Sequence, residues 1–323
     1  MPLIVEGTLV DETISNINDL VKRFPLLKAR SDSLIRQACK DVGKAGLVYV
    51  HQREYATVTT QDENIHIIGS GDATTCQIIV LQEKDSGVTC LAHLDGSEME
   101  EAVSSMVQSI QGHSSVQQDP LQIDVHIAGG FLDKRGISQQ ITRELLGILL
   151  DQKSAFHLQT AAVTDLNDSV RDGVHYPIVY GIAVDVRSGR IFNASFPDKR
   201  PDSILRHARN FTGNKRIRLF HQIMGQAVDK VEEIYNSKDQ ELRIRPFHHQ
   251  HPMNNAAFFA TAPREIILKY LSTSPHCEPS GFADQVRETM RFIVDNPDPM
   301  STVFIGQSPR RYKKNTEGEW IRI

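Results

Sequence analysis

Cysteine is scarce in these 323 residues: four thiols, at 39, 76, 90 and 277, too few and too scattered for a disulfide framework. In such a chain a cysteine is either an apolar filler or a reactive or metal-bound group. Long apolar runs are missing too, for no window approaches the roughly 18 residues a spanning helix needs. The opening MPLIVEGTLVDE has neither a basic region nor a long apolar core before Glu6. No secretory signal is expected, and Met1 is expected to be removed before the small Pro2. Charge of one sign is equally lacking. A formal net charge of -4, from 36 Lys+Arg against 40 Asp+Glu, leaves no basic field to draw phosphates. No internal repeat, low-complexity segment or Gly/Ser/Pro linker divides the chain. These absences argue against a membrane protein, a secreted disulfide scaffold and a nucleic-acid binder. They favour a single domain over residues 1–323, with the cytoplasm as the default compartment; the nucleus is a further expected location and a monomer the expected state.

What is present alternates between two periodicities. Residues 3–10 are β-rich, and helical spacing follows from Ile14 to Val42, broken by Pro25. Strands are expected over 46–51, 55–59, 65–69, 76–82 and 87–93. A helix after Asp95-Gly96-Ser97 is expected to run to about Ile110. Strand 122–128, helix 137–150 and strand 156–164 come next. A hairpin of 177–186 with 190–195 then turns at Ser188-Gly189, and a short helix opens at Pro201-Asp202. Beyond residue 200 the pattern is less regular: a helix over 221–236, a strand over 241–245, and helices over 263–271 and 281–294. Strands and helices lack the regular alternation of a doubly wound fold, so the class is α+β, with the densest strands over about 45–131.

The chemistry concentrates around Cys76. Strands 76–82 and 87–93 are joined by Glu83-Lys84-Asp85-Ser86-Gly87, a run of turn formers. A hairpin centred between Lys84 and Asp85 pairs Cys76 with His93 on one face. An imidazole there can take the proton of a thiol whose ordinary pKa is about 8.5. The preceding loop, Gly69-Ser70-Gly71-Asp72-Ala73-Thr74-Thr75, is small and rich in hydroxyls. Such a loop lets backbone N–H groups converge on an oxyanion, and it offers Ser70, Thr74 and Thr75 to orient the histidine. Taken singly, Cys76 reads as a core thiol and His93 as a satisfied core histidine.

Five blocks carry a resemblance: GSGDATTC (69–76), LAHLDG (91–96), VHIAGGF (125–131), YGIAVDV (180–186) and LSTSP (271–275). With the opening MPLIVEG, and in this order, they resemble the eukaryotic protein N-terminal asparagine amidohydrolases over nearly the whole chain. That family is similar in fold to the cytotoxic-necrotizing-factor-like cysteine hydrolases, an α-β-β sandwich of mostly antiparallel or mixed sheets with flanking helices. Bacterial chemoreceptor glutamine deamidases share this fold. Their spacing, a histidine 17 residues after the cysteine and a hydroxyl six before it, falls here on Cys76, His93 and Ser70. The match is poorest over 214–255, and no functional residue is placed there.

The resemblance implies a deamidase, acting through a thioester on N-terminal asparagine and feeding arginylation and ubiquitin-dependent degradation. Its partners would be proteins or peptides with a free N-terminal Asn, and no cofactor is called for. Reading the α-ammonium requires a carboxylate. Asp72 is the first candidate, before Asp95, which also looks like a turn residue, and Glu6; Thr74 and Thr75 would line the substrate. Two alternatives are a deamidase of internal Gln or Asn and a non-catalytic adaptor for N-terminal residues. No metal is expected. His248-His249-Gln250-His251 lacks partner cysteines or an HExxH frame, and Cys90 lies on the opposite sheet face from His93. His126 reads as a core residue near Gly129-Gly130. Arg310-Arg311 and Lys313-Lys314 read as a solvated tail.

Overall fold

The computed structural model describes residues 3–10, 14, 16–115, 120–211, 230–248 and 253–323. In chain order the strands are β1 (Leu3–Val5), β2 (Thr8–Val10), β3 (Lys40–Asp41), β4 (Leu47–Tyr49), β5 (Glu54–Val58) and β6 (Ile67–Ser70). They continue as β7 (Gln77–Glu83), β8 (Thr89–Leu94), β9 (Gln122–Gly129), β10 (Ala155–Val163), β11 (Asp168–Arg171) and β12 (Val174–Pro177). The last six are β13 (Ile182–Asp185), β14 (Arg190–Ser195), β15 (Glu232–Asn236), β16 (Glu241–Ile244), β17 (Arg310–Lys314) and β18 (Trp320–Arg322). An 11-stranded mixed sheet has the order β18-β17-β16-β15-β5-β8-β7-β9-β10-β1-β2. A 5-stranded sheet, β3-β14-β13-β6-β4, and a separate β11-β12 ribbon complete the β structure of the described residues.

Side-chain alternation makes the layers. In β7, Ile79 and Leu81 face the helices α1 (Ile17–Arg23), α2 (Pro25–Ile35), α3 (Met99–His113) and α4 (Ile137–Asp151). Ile78 and Val80 face the other way and meet Val48, Ile68, Ile182 and Val184 of the smaller sheet. Each such aliphatic, fully buried, stabilises the fold by about 1.5–3 kcal/mol. Two apolar faces on one sheet require two covering layers, and the result is the α-β-β order of an α+β fold. Pro25 begins α2 at its first position, where its missing N–H costs nothing. A smaller core, with Ala208, Ile267, Val286, Met290 and Ile293, joins α5 (Ser203–Ala208) to the helices Arg264–Leu271 and Phe282–Asp295. No helix among the described residues is long and apolar enough to cross a membrane.

Four local expectations change. The β7–β8 turn centres between Asp85 and Ser86, because Glu83 N–H donates to Val88 O at 2.9 Å and Glu83 accepts from the amides of Asp85 and Ser86. His93 therefore stands opposite Ile78 rather than Cys76. Residues 232–236 form a strand, parallel to β5, with Ile234 and Tyr235 in the inter-sheet core. Tertiary pairing overrides the helical spacing there; the rest of the expected helix, up to 229, lies outside the described residues. The basic 310–314 segment is a strand paired with β16, since Tyr312 is buried and Arg311 and Lys313 both bind Glu241. The strand expected over 177–186 is interrupted after Pro177 and resumes at Ile182. Its first part pairs with β11 instead.

Candidate active site

The changed hairpin register leaves Cys76 and His93 on the same side of the large sheet. Moving the pairing by two residues preserves the face of every side chain. Cys76, the residue before β7, is a diagonal neighbour of His93, a placement in which Cβ atoms lie within about 7–8 Å. Gly129 permits this geometry. Its φ is +113°, and a Cβ on it would stand 2.6 Å from the Cys76 carbonyl oxygen.

His93 is buried between the two sheets, and Ser70, the last residue of β6, meets it there. Ser70 Oγ donates to Val50 O at 2.6 Å and lies 2.8 Å from His93 Nδ1. A hydroxyl has one proton, so with that proton committed to the carbonyl, Nδ1 must be the donor to Ser70. Nε2 is then the bare nitrogen, buried and without a hydrogen-bond partner among the described residues. Burial lowers the imidazole pKa to about 4, against the opposing pull of Asp95, Asp72 and Glu54. Cys76 is half-buried, and burial raises its thiol pKa. The negative charges of Asp95 and Glu278 raise it further, while Arg53 opposes them. At neutral pH the resting pair is therefore an uncharged thiol and an uncharged imidazole.

The loop before Cys76 is held by its own backbone. Asp72 sits at φ +58°, the Ala73 amide donates to Tyr180 O at 2.9 Å and the Thr74 amide to Asp72 O at 3.0 Å. Thr75 Oγ1 lies 2.8 Å from Thr273 Oγ1, so the histidine-orienting role open to Thr74 and Thr75 is occupied instead by Ser70. The acidic candidates separate clearly. Asp72 is exposed at the rim and paired with Lys199. Asp95 accepts from Arg53 Nε at 2.7 Å, Gln52 Nε2 at 2.8 Å and the Ser97 amide at 3.0 Å, so it is both turn residue and buried ion-pair partner. Glu6 accepts from the Leu27 amide at 2.8 Å, at the start of α2, and this sets it aside as a border of the site.

Beneath the site lies a charge cluster the sequence did not suggest. Glu54 meets Arg206 Nη2 at 2.6 Å and Arg209 Nη2 at 3.2 Å, all three buried. Burial alone would raise the Glu54 pKa, but the two guanidiniums hold it at about 2. Glu54 also accepts from the His51 amide at 2.9 Å, and Arg206 donates to Tyr49 O at 2.5 Å. The cluster thus fixes the 49–51 backbone whose Val50 carbonyl anchors Ser70.

Glu278 was missed as well; its only signal is an acidic residue three positions past the LSTSP block. Cys90 accepts from Thr57 Oγ1 at 3.3 Å on the helix-facing side, away from His93. His126 lies 3.1 Å from Thr160 Oγ1. Among the described residues no three His, Cys, Asp or Glu side chains converge as a metal site, and 249–251 of the histidine run lie outside them.

A thiol, a bare imidazole nitrogen and a hydroxyl that orients the ring, set in an α-β-β sandwich, define a hydrolase of acyl or amide bonds. The comparisons give the family. The model of the protein N-terminal asparagine amidohydrolases matches residues 37–322, and the chain belongs to that family. It is 40% identical over 323 residues to the protein N-terminal asparagine amidohydrolase of Sus scrofa, spanning 100% of this chain and 98% of the relative. The Homo sapiens protein of the same name is 38% identical over the same spans. That of Arabidopsis thaliana is 26% identical over 331 residues, covering 93% of this chain and 90% of the relative.

Proposed function

We propose that this chain hydrolyses the side-chain amide of N-terminal asparagine in proteins and peptides, giving aspartate and ammonia. The observation that carries the mechanism is the Ser70–His93 bond, which commits Nδ1 and leaves Nε2 bare and buried, on a histidine that shares a sheet face with Cys76. His93 Nε2 takes the thiol proton as Sγ bonds to the carboxamide carbon, so that thiolate forms during attack rather than before it. Ala73 and Thr74 have spent their amides within the fold. The amides of Thr75 and Cys76, next to the thiol, serve as donors to the oxyanion. The C–N bond then breaks, and ammonia leaves with the proton held by His93. Water attacks the resulting thioester, giving a proton to His93, which returns it to sulfur as aspartate departs. Asp72, Thr74 and Thr75 border the substrate.

The family and the similarity to its animal members over 98% of their length support this substrate assignment. The product, a new N-terminal Asp, suits arginylation and ubiquitin-dependent degradation. We place the enzyme in the cytoplasm and nucleus, acting as a monomer without a cofactor. The test is mass spectrometry of an Asn-starting peptide, which gains about one dalton per deamidation. Cys76→Ala is expected to reduce that conversion by at least about 10⁴-fold. Conversion undiminished in the variant rejects the nucleophile, and equal ammonia release from an N-acetylated peptide rejects the N-terminal assignment.

A further inference from the structure

A substrate's α-nitrogen is three bonds from the carbonyl carbon of its asparagine side chain, a span of at most about 4 Å. The group that reads the free N-terminus must therefore stand beside Cys76. Of the carboxylates near the thiol, Asp95 is closed by Arg53 and Asp72 by Lys199. Glu278 forms no ion pair with any described residue.

We propose that Glu278 receives the α-ammonium of the substrate's first residue, an inference that rests on the deamidase reading above. The connections are short. Thr273 Oγ1 is 2.8 Å from Thr75 Oγ1, and Thr75 is the neighbour of Cys76. Ser272, the residue before Thr273, donates to Glu278 Oε1 at 2.5 Å, folding the carboxylate back to where the segment meets the catalytic loop. His276 Nε2, 3.0 Å from His175 O, holds the far side of this turn. Pro279 and Phe282 then line an open groove of about 590 Å³ with Asp72, Pro197 and Lys199. Glu278 thus directly precedes a residue of this groove, along which the rest of a polypeptide can leave.

Electrostatics give the site its preference for a cation. Burial pushes the Glu278 pKa up to about 7, the Ser272 hydrogen bond opposes this, Asp72 adds to it and Arg264 weakly subtracts. The other titratable groups in its field are Cys76, Cys277 and Tyr180, all of them uncharged at neutral pH. A half-buried carboxylate without an ion-pair partner carries a desolvation cost, and a substrate ammonium offsets it. It also cancels one of the charges that raise the Cys76 thiol, so arrival of a free N-terminus favours the thiolate at the moment it is needed.

The test compares an Asn-starting peptide with its analogue lacking the α-amino group, a succinamoyl peptide, on the wild type and Glu278→Gln. The wild type is expected to prefer the amine by about 100-fold or more in kcat/KM. Glu278→Gln is expected to lose about 30-fold or more on the amine peptide, chiefly through KM, and little on the analogue. The acid limb of the wild-type profile near pH 7 should vanish in the variant, because uptake of the ammonium requires the ionised carboxylate. A variant that keeps the full preference overturns the inference and leaves the deamidase reading intact. Equal loss on both substrates assigns Glu278 to the fold and also overturns it. A wild type inactive on Asn peptides overturns the reading and the inference together.

Discussion

Two carboxylates, Glu54 and Glu278, divide the molecule into a closed interior and an open mouth. Glu54 is enclosed by Arg206, Arg209 and the His51 amide, and burial fails to neutralise it because charge meets charge. Glu278, close to the thiol, has one hydroxyl donor and no ion-pair partner among the described residues, and its pKa moves the opposite way. The same residue type in two desolvated places shows that burial does not by itself set a carboxylate's state; the partners do. Inside, the fold supplies them, and the carboxylate becomes scaffold. At the mouth the fold leaves the position for something that arrives.

The comparison breaks most visibly on the inner side. Arg206→Met leaves Glu54 buried with only part of its positive charge, and it removes the donor that holds Tyr49 O. A loss of about 3–5 kcal/mol in unfolding free energy is expected from urea titration at pH 7. The double variant Glu54→Gln/Arg206→Met should regain much of it, since the stranded charge is gone. The Glu54 contribution is present above its ordinary 4.5 and is lost as pH falls through about 2. A single variant within about 1 kcal/mol of the wild type would mean that Arg209 alone suffices.

Between the two regions stands Ser70, which passes the rigidity of the interior to the imidazole. Ser70→Ala removes the acceptor of His93 Nδ1–H and the donor to Val50 O, both buried. We expect kcat to fall about 10–100-fold, with KM for an Asn peptide nearly unchanged, and stability to fall by about 1–3 kcal/mol. A change confined to KM would separate Ser70 from the orientation of His93.

Much of this arrangement was legible in the sequence because it rests on local patterns. The alternating strands 76–82 and 87–93 placed Cys76 and His93 on one face, and the error in register, being even, did no harm to that placement. The loop 69–75 announced itself by composition. Residues whose role depends on distant partners were not legible. Glu54 is separated from Arg206 by 152 residues, and Thr75 from Thr273 by 198, so no spacing rule connects them. Glu278 was hidden twice: it is remote from Cys76 in sequence, and its distinguishing property, the lack of an ion-pair partner among the described residues, shows only in the packed structure. The basic run 310–314 misled for the opposite reason, its charges being visible and its pairing to Glu241 not.

The smallest expected effect sharpens the comparison by reversing its sign. Glu278 is raised in the folded chain to about 7 from an ordinary 4.5, so between those values the folded state binds a proton that the unfolded state releases. Its ionisation therefore works against folding as pH climbs through about 7, whereas ionised Glu54 supports folding above 4.5. Replacing Glu278 with Gln removes that penalty. The variant should match the wild type near pH 5 and exceed it at pH 8 by on the order of 1 kcal/mol, a modest gain because the group is only partly shielded from water. Urea midpoints at the two pH values measure it. A variant less stable than the wild type at pH 8 would mean that the Glu278 charge is already compensated within the fold, and the contrast with Glu54 would disappear. A gain in stability paired with a loss of selectivity for free N-termini is the signature of a carboxylate kept for a ligand rather than for the fold.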